Sequence, residues 1–288
     1  MSTERYIHYG CASFYFKHSP IVPTIQDLLE ILQQISPDSL AEDWDNVGLL
    51  TGEPRQPLSR ILLALDPVSS LIDQAKTGCY DCIITHHPAI FRPIKTLRAD
   101  YPAARFLLEA VRAGISVIAC HTNLDSIEDG ISDYLAKSLN CTNIRPLLPA
   151  KQSCPASCGL GRIGTCAPPV SPETFLAELR RVCNPPWILE AGPRPPLLGT
   201  VAVCGGSCSD LAETALQAGA DVFVTAEVKH AVARWAEDAG LWLLDAGHFA
   251  TEYPAMARFR ETLLHQCVER GLNLCVDVAP QQSPLRLV

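Results

Sequence analysis

Apolar residues follow two spacings along the chain, and the same succession of spacings occurs twice. Between residues 25 and 35, and again between 175 and 182, they recur every three to four positions, which predicts an amphipathic helix at the start of each half. Thr24 is a plausible N-cap for the first helix, and Ser171 with Pro172 begins the second. A short predicted strand follows each helix, at 47–50 and at 187–189. This repetition indicates a duplicated α/β unit.

Each half continues with three short apolar runs that are typical of buried strands. They lie at residues 61–66, 82–87 and 115–121 in the first half, and at 200–206, 221–227 and 241–248 in the second. Helical patterns at 102–113 and 211–218 separate some of these runs. Strands that alternate with helices predict mainly parallel sheets whose faces are covered by helices. The sequence therefore predicts an α/β fold made of two repeats.

The same pattern sets the predicted domain boundaries. We place the first repeat at residues 21–145 and the second at 171–288. A connecting segment, 146–170, is rich in Pro, Cys, Ser and Gly, as a link between repeats should be. Residues 1–20 fit neither repeat and are interpreted as an N-terminal extension, either disordered or produced by the choice of an upstream start codon.

Composition narrows the classes of function. The formal net charge is -8 and no run of Lys and Arg is present, which disfavours nucleic-acid binding. No apolar stretch reaches the ~20 residues that a membrane helix needs, and the first twenty residues lack the apolar core of a signal peptide. We therefore expect a cytoplasmic protein whose 13 cysteines are reduced. Cys79 and Cys82 could form a redox or metal pair, although buried free thiols are the interpretation we favour.

Five of the eight histidines fall at or just beyond the carboxyl end of a predicted strand. They are His86, His87, His121, His230 and His248. That edge of a parallel α/β sheet is where ligands and catalytic groups gather. Adjacent histidines can share a site only where the strand ends, and Pro88 follows His87 at once. The plainer alternative is one buried and one exposed histidine with ordinary hydrogen bonds.

A histidine followed four residues later by an acid occurs at the same place in both halves. His121 precedes Asp125, and His248 precedes Glu252. If these segments are helical, the imidazole and the carboxylate share one face of the helix. Such a pair suits zinc, iron, manganese and similar ions, whereas an ion pair at a helix start is the alternative. Two such His-x-x-x-acid motifs, together with the adjacent His86 and His87, favour a metal site.

Three further positions could belong to the same site. Asp45 could orient a water molecule or a metal-bound histidine, or could stabilise a turn. Glu227 and His230 could line the same cavity, or could belong to an exposed helix start. The turn at residues 204–207 could present backbone N–H groups to an anion, although we favour an ordinary tight turn.

Six motifs occur in the order found in the NIF-three-like family, which the chain resembles from about residue 21 to about residue 278. They are DNVGLLTG (45–52), ITHHPAIF (84–91), HTNLD (121–125), GLGRIG (159–164), TAEVKH (225–230) and GHFATE (247–252). Bacterial members are often described as GTP cyclohydrolase type-two homologues. The resemblance implies two intertwined α/β repeats with mixed, mainly parallel sheets, and a ring-shaped homohexamer with two divalent metal ions in each subunit.

The resemblance also implies which residues hold the metal ions. The motif positions that supply ligands correspond here to His86, His87, Asp125, His248 and Glu252. His121 lies beside them as a possible ligand or supporting group, since the repeat makes it the counterpart of His248.

The chain departs from the family pattern in two places. The usual T-G-[DE]-x-x-H-H has become TAEVKHA (225–231), which puts in doubt a role for the second histidine in substrate contact. The larger insert domain of some members is missing, because GLGRIG leads directly to the second repeat.

Together these observations predict a metal-dependent hydrolase for a nucleotide or a similar phosphorylated or heterocyclic metabolite. Glu227 or Asp45 would move protons during the reaction. Ring opening of GTP is implied by the resemblance only, because nothing in these residues specifies guanine. The alternative is a non-catalytic role in metal binding, metal delivery or scaffolding. The expected partners are copies of the same chain and a small-molecule substrate, without a membrane or nucleic acid.

Overall fold

A computed structural model describes residues 22–150 and 154–288. The N-terminal extension predicted for residues 1–20 lies outside this range. The helices of the described parts are α1 (Ile25–Ile35), α2 (Ser70–Thr77), α3 (Pro102–Ala113), α4 (Thr122–Ser126), α5 (Ile131–Ser138), α6 (Pro172–Cys183), α7 (Ala212–Gln217), α8 (His230–Ala239), α9 (His248–Glu252) and α10 (Ala255–Glu269). The strands are β1 (Gly48–Thr51), β2 (Arg60–Ala64), β3 (Cys82–Thr85), β4 (Ser116–Ala119), β5 (Thr142–Pro149), β6 (Gly159–Val170), β7 (Leu189–Ala191), β8 (Leu198–Val203), β9 (Val222–Thr225), β10 (Trp242–Asp245) and β11 (Cys275–Val278). Two 3-10 turns occur at Asp38–Leu40 and Ser209–Leu211.

The strands form two sheets that repeat one arrangement. The first sheet has the order β1-β4-β3-β2-β11, and the second has the order β5-β6-β8-β9-β10-β7. In the first, β2, β3 and β4 are parallel and β1 is antiparallel to β4; in the second, β8, β9 and β10 are parallel and β7 is antiparallel to β10. β11, from the end of the second half, joins the first sheet parallel to β2. The predicted fold of two intertwined repeats with mixed, mainly parallel sheets is confirmed.

The segment predicted as a link between the repeats is largely strand. β5 and β6 form an antiparallel pair that extends the second sheet beside β8. The proline-rich composition suggested an irregular connection, but β5 lies at the sheet edge, where Pro146 and Pro149 are tolerated because an edge strand has amide positions without a strand partner. The connection between the halves is therefore a structural part of the second sheet.

Local signals in the sequence explain where the first helix of each repeat begins. Thr24 caps α1 through a reciprocal pair of bonds, in which its hydroxyl accepts from the Asp27 amide at 3.3 Å and its own amide donates to the Asp27 carboxylate at 2.7 Å. Ser171 caps α6 by accepting from the Thr174 amide, and Pro172 occupies the first helical position. Both predicted helix starts are confirmed.

The core of each repeat lies on both faces of its sheet. In the first, Leu63 and Ile84 pack towards α1 and α10, whereas Leu62 and Ile83 pack towards α2 and α3. Successive strand residues point to opposite faces, which explains why these strands are apolar throughout. No helix in the two described ranges is both long enough and apolar enough to cross a membrane. The rigid strands fix the positions of the residues that follow their carboxyl ends.

Candidate metal centre

The carboxyl ends of the two sheets bring together histidines from both halves of the chain. His86 and His87 follow β3, and His248 begins α9 shortly after β10. Nε2 of His87 lies 3.1 Å from Nε2 of His248, although 161 positions separate these residues in the chain. Oε2 of Glu252 lies 3.1 Å from both of these nitrogen atoms. The adjacent histidines and the GHFATE segment therefore meet in one pocket.

Two overlapping groups of potential ligand atoms result. The ligand atoms of His86, His87 and His121 all lie within 4.8 Å of one another, and the same holds for His87, His248 and Glu252. Oδ1 of Asp125 lies 3.6 Å from Nε2 of His86. The two groups share His87 and could each hold a metal ion.

Every imidazole of this cluster is oriented by a hydrogen bond from its Nδ1 atom, on the side away from the cluster. Nδ1 of each ring donates to an oxygen, namely Cys120 O for His86 (2.9 Å), Asp66 Oδ1 for His87 (2.7 Å), Asp45 Oδ1 for His121 (2.8 Å) and Glu227 Oε1 for His248 (2.9 Å). This arrangement fixes each ring and turns Nε2 towards the cluster. Histidines that bind metal ions in proteins are commonly oriented in this way.

His86 is the neutral imidazole of the cluster, and its free nitrogen faces two carboxylates. Burial lowers the pKa of His86 to about 3, so the ring is neutral. Since Nδ1 donates to a carbonyl oxygen, Nε2 carries a lone pair, and that lone pair faces the carboxylates of Asp125 and Glu252 at 3.6 and 3.9 Å. Nε2 of His86 and Oδ1 of Asp125 are buried without a hydrogen-bond partner. Acceptors buried against acceptors are unfavourable, and a divalent cation that takes nitrogen and oxygen ligands fits them.

The remaining groups of the cluster have perturbed pKa values. Burial lowers the pKa of His87, but Asp66 and Glu252 outweigh burial and raise it to about 10. His248 behaves similarly, because Glu252 and Glu227 raise its pKa to about 9 against the effect of burial. Burial tends to raise the pKa of Glu252, yet His248 and His87 hold it well below its usual range. The surroundings of His87 and His248 therefore favour positive charge.

Asp125 differs from Glu252 in its electrostatic surroundings. Burial raises the pKa of Asp125 to about 7, opposed by His121 and assisted by Glu252. Its position in the helix also differs, because His121 is the N-cap of α4, whereas His248 is the first residue of α9. The two His-x-x-x-acid motifs are thus offset by one helical position. His248 lies 3.1 Å from Glu252, but the ion-pair contact of Asp125 is with His86.

Asp45, predicted to move protons, lies behind His121. Its side chain is fully buried, and its two oxygens accept from Nδ1 of His121 and from the amide and hydroxyl of Thr122. Burial tends to raise the pKa of Asp45, but these hydrogen bonds lower it to about 2. An ionised and fully bonded carboxylate is poorly suited to accept a proton from a substrate. Its position favours the supporting role over proton transfer.

Of the two candidates at the end of β9, Glu227 lies beside the cluster and His230 does not. Glu227 lines the cavity and accepts from His248 at 2.9 Å, with its side chain 60% exposed. Its φ of 52° is left-handed, a strained conformation that is often found in functional sites. His230 begins α8 and is exposed, and it does not line the cavity next to the cluster.

The glycine turn after β8 is an ordinary tight turn, as favoured from the sequence. The amide of Gly205 donates to Ser132 Oγ, and that of Gly206 donates to Thr251 Oγ1, so neither is available to an anion. A Cβ atom on Gly206 would lie only 2.1 Å from Oε1 of Glu252. The turn therefore leaves room for the Glu252 carboxylate.

Sequence reasoning did not identify Asp66 and Gln281. Asp66 follows β2 and accepts from His87, and the Gln281 side chain accepts from the amides of Leu65 (2.7 Å) and Asp66 (3.1 Å). Asp66 could have been found from the sequence, because it is an acid just after β2, the strand next to the one that His86 and His87 follow. No comparable signal existed for Gln281, because it lies in the irregular tail.

A cavity of about 600 Å³ opens onto the cluster. Its walls are mostly apolar and include Trp44, Phe91, Trp187 and Phe249.

The possible pair of Cys79 and Cys82 lies elsewhere. Cys79 is exposed and Cys82 is buried at the start of β3, where burial raises the pKa of its thiol. Both are free thiols, and neither belongs to the two groups of potential metal ligands found among the described residues.

Comparisons with known proteins agree with this architecture. The model of a family described as Duf34/NIF3 (NGG1p interacting factor 3) matches residues 23–284. A Streptomyces coelicolor protein named GTP cyclohydrolase 1 type 2 homolog is 35% identical over 236 residues, which cover 81% of this chain and 83% of that protein. A Clostridium perfringens protein of the same name is 28% identical, covering 82% and 90%. The crystal structure of Staphylococcus aureus hypothetical protein SA1388 has a TM-score of 0.85 and 27% identity, covering 92% of this chain and 99% of that chain.

Proposed function

The chain belongs to the Duf34/NIF3 family, and we propose that it binds two divalent metal ions and hydrolyses a nucleotide or a related heterocyclic metabolite. The observation that carries this proposal is a pair of buried, unpartnered acceptors, Nε2 of His86 and Oδ1 of Asp125, which face each other at 3.6 Å near the carboxyl ends of the strands. A purely structural cluster would be expected to pair these atoms with donors.

We assign the ligands to His86, His87, Asp125, His248 and Glu252, with His121 as a further candidate. This donor set of imidazoles and carboxylates suits zinc, iron or manganese. The carboxylates that accept hydrogen bonds from these imidazoles have a different role from the ligands. Asp45, Asp66 and Glu227 hold the imidazoles in the orientation and tautomer that leave Nε2 for the ions.

The chemistry of hydrolysis follows from the position of the cavity. Two divalent ions in the cluster would supply Lewis-acid activation of water and of the substrate group under attack. Glu227 is the candidate for proton transfer, since it lines the cavity and is more than half exposed. A nucleotide substrate is supported by the name GTP cyclohydrolase 1 type 2 homolog, which the relatives carry.

Metal analysis of the purified protein, with two variants, tests this proposal. We expect about two metal equivalents in the unaltered chain and less than one in His87→Ala, because both ligand groups contain His87. His265→Ala is the matched control, since His265 is an exposed histidine on α10 that pairs with Glu269. It should keep the full metal content.

Turnover of a nucleotide panel by the metal-loaded protein tests the hydrolase part. Activity should disappear in His87→Ala and persist in His265→Ala. A fully loaded but inert protein would instead support a non-catalytic role in metal binding or delivery, and a protein without bound metal would refute the proposal altogether.

We further propose that the chain assembles into a homohexameric ring, as the family resemblance implies. Mass photometry of the purified protein counts the subunits in each particle, and a monomer at working concentration would contradict this assembly.

A further inference from the structure

The wall of the cavity next to the cluster is formed by an aromatic corner, which we define as Trp44, Phe91 and His121. The ring centroids lie 5.7 Å apart for Trp44 and Phe91, 6.0 Å for Trp44 and His121, and 6.2 Å for Phe91 and His121, all in edge-to-face arrangements. Trp44 is 58% exposed and Phe91 is 48% exposed. Large aromatic side chains this exposed beside a polar cluster leave ring surface free for a ligand.

The charges along the cavity indicate which charged groups a ligand can carry. Four carboxylates line it, from Asp66, Asp125, Glu227 and Glu252, and no Lys or Arg side chain lines it within the described parts of the chain. The nearby Lys229 is engaged by Asp210 at 2.6 and 2.8 Å. Outside the cluster itself, the described walls of the cavity therefore offer a polyphosphate no Lys or Arg side chain to bind.

Building on the metal-dependent function proposed above, we propose that the cavity binds a planar aromatic or heteroaromatic ligand through the aromatic corner and does not recognise a polyphosphate. The ring packs against Trp44 and Phe91, while one donor group of the ligand reaches the cluster. His121 belongs both to the corner and to a ligand group, so it links the two subsites. Trp44 and Phe91 belong to neither ligand group, so their contribution to ring recognition can be measured at full metal content.

Isothermal titration of the Zn²⁺-loaded protein with four probes tests this inference. The probes are guanosine, GMP, GTP and ribose 5-phosphate, which vary the ring and the number of phosphates independently. We expect GMP to bind at least ~10-fold more tightly than ribose 5-phosphate, since base stacking on aromatic side chains supplies that much affinity. GTP should bind no more tightly than GMP.

Variants of the corner separate ring recognition from metal binding. Trp44→Ala and Phe91→Ala should each weaken GMP binding by about 10-fold at unchanged zinc content, and Trp44→Phe should stay within about 3-fold of the unaltered chain. Tyr101→Ala is the matched control, because Tyr101 is an aromatic residue of similar exposure (50%) that does not line the cavity. It should leave GMP binding unchanged.

The outcomes distinguish this inference from the proposed function. A protein that retains no Zn²⁺ refutes the proposed function and, with it, this inference. A Zn²⁺-loaded protein overturns this inference alone if ribose 5-phosphate binds as tightly as GMP, if GTP binds more than ~10-fold tighter than GMP, if none of the probes binds, or if both alanine variants of the corner bind GMP normally.

Discussion

Replacing Asp66 with asparagine tests how strongly the groups behind the cluster control metal binding. Asp66 Oδ1 lies 2.7 Å from Nδ1 of His87, and Asp66 is one of the two carboxylates that raise the pKa of that imidazole. Asparagine has nearly the same shape and can still accept from Nδ1 through its amide oxygen. The substitution therefore removes the charge while it largely keeps the geometry.

The expected loss is about 10- to 100-fold in affinity for Zn²⁺, the usual range for removing such a supporting partner. This corresponds to about 1.4–2.7 kcal/mol of binding free energy. We favour the lower part of that range, since the hydrogen bond survives and the Asp66 side chain is 32% exposed to solvent. Competition with a chromophoric chelator at constant pH and ionic strength measures the affinity.

A double-mutant cycle makes the reasoning refutable. If Asp66 acts through His87, then Asp66→Asn should have little further effect in a His87→Ala background. Asp73→Asn, an exposed acid on α2, controls for the change in net charge. Affinity within 2-fold of the unaltered chain in Asp66→Asn, or fully additive losses in the double variant, would refute the assignment.

Two further predictions concern protons and space in the cluster. The pKa values of His87 and His248 are raised to about 10 and 9, so Zn²⁺ must displace a proton from each ring when it binds. The apparent affinity should therefore fall by up to about tenfold per released proton for each pH unit below 9. Titrations from pH 6 to 9 measure this slope, and a flat profile would contradict the prediction. Gly206→Ala should lose metal because its Cβ would lie 2.1 Å from Glu252 Oε1, whereas Gly219→Ala, with φ 86° and open space around Cβ, should keep it. Both variants should lose about 1–2 kcal/mol of unfolding free energy in urea denaturation, because each forces alanine into a left-handed conformation; equal metal content in the two would refute the steric argument.

The α/β repeats could be predicted because their signals are local. Helix caps, helical spacing and short apolar runs act within a few residues, and they placed the three central parallel strands of each sheet, β2 to β4 and β8 to β10, to within a few positions. β11 and the pair β5 and β6 were missed for a different reason. These strands lie at or towards the sheet edges and owe their pairing to distant partners, such as Arg60 opposite Cys275. Local composition cannot specify such pairing.

The positions of the candidate ligands could be predicted from the sequence where they follow the ends of strands. Knowing that parallel strands end at one edge was enough to expect His86 and His87 near His121, and the repeat suggested that His248 shares their site. The groups that hold the imidazoles were less accessible. Asp45 was considered for two roles because a buried carboxylate and a catalytic one look alike in a sequence, and only its bonds to His121 and Thr122 separate them.

The strand registers show how the duplicated halves have diverged. Thr85 pairs with Ala119 at the ends of β3 and β4, and Thr225 pairs with Asp245 at the ends of β9 and β10. The residues after these equivalent threonines are His86 and His87 in the first half but residues 226 and 227, Ala and Glu, in the second. One half therefore places two imidazoles at a position where the other places a methyl group and a carboxylate.

This difference gives the two parts of the cluster unlike electrostatics. Glu227, at the position equivalent to His87, holds His248 instead of facing the cluster as a potential ligand, and the nearby Glu252 remains ionised between two imidazoles of raised pKa. On the other side, neutral His86 faces Asp125, whose pKa burial raises to about 7. A cation beside Glu252 meets a full negative charge at neutral pH, whereas one beside Asp125 competes with a proton for the carboxylate. The duplicated fold thus supplies the frame of the site, and the substitutions at one strand end make its two halves unequal.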